Sequence, residues 1–280
     1  MLRLGAPIFD APSDPLELAR AHVQAGYTSA YCPQVDLADA QGLRATREAF
    51  LQADVLLAEV GAWCNLLAPD SQVRARNIAY ACQQLTLADE LGACCAVDYL
   101  GTFDPGSDFG PHQKNLTEAG FEAAVEVVRH IIDSVRPRRT VFALEMMQWI
   151  IPDTVEIYER LLAAVDRKQF GVHVDPVNLI LTPRQYYDTA ALLKHVFSRL
   201  GSRIASCHAK DIRLRNELAL HFDEVPPGKG LLDYQTYLAE IRSLEHLCGR
   251  AIPLMLEHLP DPPSYQAAAQ HIRSQYALLP

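Results

Sequence analysis

No stretch of this chain approaches the ~18 uninterrupted apolar residues that a membrane-spanning helix needs, so no membrane partner is expected. Cationic residues are in deficit. Lys and Arg total 25 against 34 for Asp and Glu, a formal net charge of −9. An acidic chain lacks the field that gathers polyphosphate, and nucleic acid is not an expected partner. The seven cysteines are odd in number and none forms a C-x-x-C pair. Cys94 and Cys95 are adjacent, Cys82 and Cys207 sit in apolar surroundings, and no cysteine has an activating arrangement. They read as reduced, buried thiols. At Met1-Leu-Arg-Leu-Gly-Ala-Pro7 no cationic segment leads into an apolar core, so no signal peptide is expected and the location is read as cytoplasmic. No Pro/Gly/Ser linker divides the chain. Nor does a glycine-rich turn follow the first apolar run, where Phe9-Asp10-Ala11-Pro12 stands instead of a dinucleotide-binding fingerprint.

What is present is 280 residues, 49% of them hydrophobic, in a regular alternation. Short apolar runs of four to eight residues recur at Leu2–Phe9, Ser29–Cys32, Ala58–Cys64, Ala93–Tyr99, Thr140–Met146, Phe170–Asp175, Ile204–Ala209 and Ile252–His258. Runs of this kind suit fully buried parallel strands. Amphipathic segments lie between them. Asp14–Ala25 has Asp14 as N-cap, Pro15 at the first helical position, an apolar stripe of Leu16, Leu18, Ala19 and Val23, and Gly26 beyond its end. Asp153–Val165 starts just after a proline in the same way. Eight strands alternating with eight helices, about 35 residues per unit, predict a single-domain (β/α)8 barrel over residues 1–280 rather than an open doubly wound sheet. Two long loops, Gly101–Thr117 and Asp211–Leu231, then fall on the C-terminal rim, where barrel active sites are built.

Four residues stand at the C-terminal ends of the last four predicted strands: Glu145, Asp175, His208 and Glu257. A barrel brings these ends together. Three carboxylates gathered there repel one another unless a cation sits among them. One imidazole with three carboxylates is a hard, oxygen-rich donor set suited to a single divalent ion, Mn²⁺ first, with Mg²⁺, Co²⁺ or Zn²⁺ as alternatives.

At these residues the sequence resembles the xylose-isomerase-like sugar phosphate isomerases and epimerases. These share their barrel with ketose 3-epimerases, hydroxypyruvate isomerase, inosose dehydratase and endonuclease IV. The stretches that carry the resemblance are Ala143-Leu-Glu, His173-Val-Asp-Pro-Val-Asn, Cys207-His-Ala-Lys-Asp, Pro226-Pro-Gly-Lys-Gly-Leu-Leu-Asp-Tyr and Leu256-Glu-His. The resemblance implies that Glu145, Asp175, His208 and Glu257 are metal ligands and that Glu145 and Glu257 are also the catalytic acid–base pair. It further implies isomerisation or epimerisation of a small keto-sugar or polyol-like substrate through an enediolate. A dehydratase or lyase acting on a 3-keto sugar, keto-glycoside or inosose is the alternative at the same site, and a non-catalytic sugar- or protein-binding barrel is the third reading. Relatives often assemble as dimers or tetramers, so a homo-oligomer is an expectation.

Two departures stand out. Ketose epimerases carry a histidine where this chain has Asn178, and the Asp-x-His pair of three-metal nucleases is not in place before Pro226. Softer candidates for substrate contact are Asn178, Lys210, His173, Trp63 and Arg213. Lys210 shares a strand face with His208, and His173 shares one with Asp175. Asp211 and Asp233 are alternative partners for Lys210. Trp63 offers an aromatic face to the C–H surface of a sugar, and Arg213 and Arg215 suit an anion clamp. His258 is expected to turn toward the helix layer. The run Arg136-Pro-Arg-Arg139 reads as a solvated helix end.

Overall fold

Pro15 opens the first helix, α1 (Pro15–Gln24), in the computed structural model of the protein, which describes residues 1–280. Asp14 caps it, accepting hydrogen bonds from the amides of Leu16 and Glu17 at 3.0 and 2.9 Å. The buried stripe differs from the expected one. Ala19 and His22 face inward, while Leu16 and Val23 flank the contact and are exposed. Ten strands follow the chain: β1 (Leu4–Gly5), β2 (Ser29–Tyr31), β3 (Leu56–Gly61), β4 (Cys95–Asp98), β5 (Val141–Glu145), β6 (Phe170–Val174), β7 (Ile204–Ala209), β8 (Asp211–Leu214), β9 (Phe222–Val225) and β10 (Leu254–Leu256). Eight of them close a parallel barrel in the order β1-β10-β7-β6-β5-β4-β3-β2. The predicted (β/α)8 barrel is therefore the observed fold. Each barrel strand overlaps a predicted apolar run, most of them shorter than the run, and β3 starts two residues earlier than expected, at Leu56.

The outer ring is α1, α2 (Ala40–Gln52), α3 (Ser71–Leu91), α4 (Glu118–Val135), α5 (Val155–Val165), α6 (Pro183–Tyr187), α7 (Thr189–Leu200), α8 (Tyr234–Cys248) and α9 (Pro262–Ala277). Nine helices stand where eight were expected, because the unit after β6 contains both α6 and α7, separated by Asp188. One contiguous apolar cluster of 66 buried residues packs the sheet against the helices, which makes the fold a single domain, while a separate small cluster of Cys95, Val97, Ala143 and Ala205 lies within the barrel. Gly5 permits closure between β1 and its neighbours. A Cβ there would sit 2.6 Å from both the Ser29 carbonyl oxygen and the Met255 sulfur.

The segment Asp211–Leu231 is not an irregular loop. Its first part is an antiparallel hairpin, β8 paired with β9, standing on the rim beside the barrel mouth. The alternation of Ile212 and Leu214 with charged residues is too short to separate a rim hairpin from a polar loop by sequence. All seven cysteines are free thiols. No helix is long and apolar enough to cross a membrane.

Candidate active site

Strands β5, β6, β7 and β10 form one continuous arc of the ring, and their C-terminal ends deliver Glu145, Asp175, His208 and Glu257 to one point. His208 Nδ1 lies 2.8 Å from Glu257 Oε1, 3.5 Å from Glu145 Oε1 and 3.8 Å from Asp175 Oδ2. One donor atom from each of the four residues lies within 4.8 Å of every other. Each is positioned by local structure. The Val177 amide donates to Asp175 Oδ1 at 3.0 Å and leaves Oδ2 toward the centre. Asn178, in the 3₁₀ turn after β6, donates from Nδ2 to Glu145 Oε1 at 2.9 Å. From outside the barrel, two fully buried tyrosines of α8 fix the β7 backbone. Tyr237 donates to the His208 carbonyl at 2.9 Å and Tyr234 to the Lys210 carbonyl at 2.7 Å.

The residue that the sequence reading missed is Glu59. It stands inside β3, in Leu56-Leu-Ala-Glu-Val-Gly61, and is 1% exposed. Its carboxylate lies 3.1 Å from His208 Nε2 and 3.1 Å from His173 Nε2, and it accepts from Ser206 Oγ at 3.0 Å. A charged residue in a strand buried on both faces needs partners, and that interruption of an apolar run was the available signal. Burial by itself raises the Glu59 pKa, but the imidazoles of His208 and His173 outweigh it and hold the carboxyl well below its usual range. Glu59 on Nε2 leaves Nδ1 of His208 facing the three other carboxylates, the arrangement in which a carboxylate orients a metal-ligating histidine.

His208 and Lys210 offset only part of the carboxylate charge in the cluster. Burial penalises the His208 imidazolium, yet Glu257, Glu59 and Glu145 together raise its pKa well above the ordinary value. Glu257 is opposed by burial but pulled down to about 2 by His208 and Lys210. Lys210 is almost fully buried. Its ammonium contacts Asp175 Oδ2 at 2.7 Å, Glu224 Oε2 at 3.5 Å and, most closely, Glu257. Neither Asp211 nor Asp233 is its partner. Asp211 instead accepts backbone hydrogen bonds from Ile212, Gly228, Gly230 and Leu232 at 2.8–3.0 Å and so shapes the glycine turn.

The other candidates divide. His173 is completely buried, its ring centroid 4.0 Å from that of His208, so it supports the cluster from below and presents no face to a substrate. Trp63 is on the rim, 41% exposed, stacked on Tyr99 at 6.0 Å, with its ring centroid 6.4 Å from that of His208. Arg213 lies away from the centre on the exposed hairpin, 3.9 Å from Asp223, and Arg215 forms its own bidentate pair with Asp223. Neither is brought to the carboxylates, because the hairpin raises β8 away from the mouth and pairs its arginines across the strand. His258 also departs from expectation. β10 ends at Leu256 and His258 adopts a left-handed φ of 57°, so its ring is exposed beside Glu224 at 3.0 Å rather than turned into the helix layer.

The donor set fits a divalent cation. His208 Nδ1 and Asp175 Oδ2 are buried without a well-aligned hydrogen bond; their short contacts are charge contacts only. A 4.8 Å span is what ligands on opposite sides of an ion with bonds of ~2.0–2.4 Å require.

The sequence profile of the xylose isomerase-like TIM barrel family matches residues 20–275, and the chain belongs to that family. Among solved structures it is similar to 3-keto-D-glucoside 4-epimerase from E. coli, at 13% identity and a TM-score of 0.67 over 98% of this chain and 100% of that one. It is likewise similar to D-psicose 3-epimerase from Clostridium cellulolyticum, at 15% identity and a TM-score of 0.66 over 98% and 99%. Endonuclease IV from Thermus thermophilus is as close in shape, at 14% identity and a TM-score of 0.70 over 98% and 99%. A search of characterised proteins by sequence finds no significant match. At these identities the likeness is one of fold, and the activity has to be argued from the site.

Proposed function

We propose that this chain is a divalent-metal-dependent isomerase or epimerase of a small keto-sugar or related polyol. The observation that carries the reading is the convergence of Glu145, Asp175, Glu257 and His208 Nδ1 within 4.8 Å of one another. Glu145, Asp175, His208 and Glu257 would hold the ion, and Mn²⁺ suits three carboxylates with one imidazole. When bound, such a cation neutralises the charge that develops on a substrate carbonyl oxygen as the neighbouring carbon loses its proton. Glu145 and Glu257 come from different strands and supply two carboxylates for taking up and returning that proton. Asn178 keeps Glu145 oriented. Lys210, drawn to Asp175 and Glu257, offsets their charge and supplies donors for a substrate oxygen. Trp63 gives the rim an apolar wall suited to the C–H face of a sugar. The net charge of −9 favours a small carbohydrate over nucleic acid.

The test is turnover of a ketose and keto-glycoside panel followed by product mass. The expected product is an isomer of unchanged mass, formed with solvent deuterium at the reacting carbon. Activity should be lost on chelation and restored by Mn²⁺, and Glu145→Gln or Glu257→Gln should lower turnover by roughly 10²–10⁴-fold. Full turnover in chelated protein, near-normal turnover in both variants, or a product lighter by water overturns the proposal.

A further inference from the structure

The opposite end of the barrel carries a feature that the chemistry at the mouth does not use. Around the N-terminal ends of β3 to β7 lies a depression of about 530 Å³, within the range of small-molecule sites. Five cations border it, Arg138, Arg139, Lys168, Arg203 and Arg250, and no Asp or Glu does. In a chain of net charge −9 such an unmixed group is a local reversal of sign. Arg139 is engaged by Glu90 at 3.2 Å and by Asp89 at 4.0 Å, and the Asp89 carboxylate also accepts the amides of Arg138, Arg139 and Thr140; the side chains of the other four cations form no ion pair.

Two of these side chains are already held in place. Arg203 Nη2 donates to the carbonyls of Arg167, at 2.8 Å, and Phe170. Arg250 Nη2 donates to the carbonyls of Ser202, at 3.1 Å, and Ile204. In each guanidinium a single nitrogen takes both carbonyls, and Nε and Nη1 keep their hydrogens without a protein acceptor. Immobilising these forks on backbone carbonyls lowers the entropy lost when an anion binds. Thr140, also on the lining, is 4% exposed and its hydroxyl has no hydrogen-bond partner. The Nε–H and Nη1–H groups left on each guanidinium diverge, so each supplies single charge-assisted hydrogen bonds to phosphate oxygens from a fixed cation. A dianion answers this much positive charge better than a carboxylate does. The basin is a pocket and not a stripe, and the acidic remainder of the surface repels a long polyanion while leaving a small one to feel the local field.

We infer that this basin binds a small phosphate-bearing molecule, gripped by Arg203 and Arg250 with Arg138 and Lys168 at its edge. The inference is independent of the reaction assigned to the mouth. It is tested by calorimetric titration of the whole protein with inorganic pyrophosphate, both metal-loaded and after chelation, so that phosphate ligation to a metal at the mouth is told apart. The expected result is saturable binding with Kd below about 1 mM in both forms. The Arg138→Glu/Lys168→Glu double variant, in which both side chains are exposed and hold no backbone group, should weaken it at least tenfold without a change in melting temperature. Arg203→Lys should also weaken it, by removing the fixed Nε and Nη1 donors while keeping the charge. Absence of saturable binding in chelated protein, an affinity within twofold of the parent in the double variant, or tighter binding of a 12-nucleotide single strand than of pyrophosphate overturns the inference.

Discussion

Replacing Glu59 by glutamine is the sharpest perturbation of the site that leaves every donor residue at the centre in place. The side chain keeps its size and loses its charge. In the parent, the carboxylate lies against His208 Nε2, which would fix the tautomer with Nδ1 toward the other carboxylates when a cation is bound, and it simultaneously faces His173 Nε2 and Ser206 Oγ, each within 3.1 Å. An amide keeps one acceptor for three neighbours and introduces two donors. It no longer dictates which nitrogen of His208 is protonated. Disrupting a buried, hydrogen-bonded charge contact costs ~3–5 kcal/mol. The retained amide oxygen places Glu59→Gln at the lower end, about 3 kcal/mol, and in a domain of this size each kcal/mol moves the midpoint by ~2–4 °C, so a fall of roughly 6–12 °C is expected. Loss of a carboxylate that orients a ligating histidine weakens metal binding by roughly 10–100-fold. Thermal melting in chelator and competitive Mn²⁺ titration measure the two effects separately. A midpoint within about 1 °C of the parent together with Mn²⁺ affinity within threefold would refute the reasoning, since Glu59 would then be a bystander.

Asp98, fully buried at the end of β4, has its carboxyl pushed up to about 7 by burial, against which hydrogen bonds from Tyr99 and Cys64 are too weak. The unfolded chain releases this proton near the ordinary value of 3.8, so the carboxyl costs stability progressively from about pH 4 to pH 7, on the order of 4 kcal/mol in all. Asp98→Asn should therefore match the parent at pH 4 and exceed it at pH 8 in urea titrations, and a stability difference that does not change with pH would count against this. At Gly230 a Cβ would collide with the Ile212 carbonyl oxygen and the Asp211 carboxylate. Gly230→Ala is expected to destabilise by ~1–3 kcal/mol, and an unchanged urea midpoint would show that the turn yields freely.

The barrel and the four convergent residues were legible in sequence for one reason: a parallel strand is short and apolar, and a chargeable residue at its C-terminal end meets the rim. Glu145, Asp175, His208 and Glu257 all stand at such ends. Glu59 obeys the opposite rule, a charge in mid-strand whose partners come from β6 and β7 on the other side of the barrel interior, more than 100 residues away along the chain. Periodicity along one strand carries no information about what lies across the cylinder. The expectation for His258 failed because alternation assumes an extended backbone, and the chain abandons that conformation after Leu256. The partners of Lys210 were missed since proximity along the chain pointed to Asp211, whose carboxylate is consumed by the glycine turn.

The ring order has a consequence for how such a protein changes over time. All four central donors stand at the C-terminal ends of the neighbouring strands β5, β6, β7 and β10, whereas Trp63, Tyr99 and Phe109 line up from the segments that follow β3 and β4. Under the proposed function, reactivity and selectivity fall to separate sectors of one scaffold. Drift or deliberate redesign in the aromatic sector is free to re-tailor what is admitted while the reactive sector stays untouched.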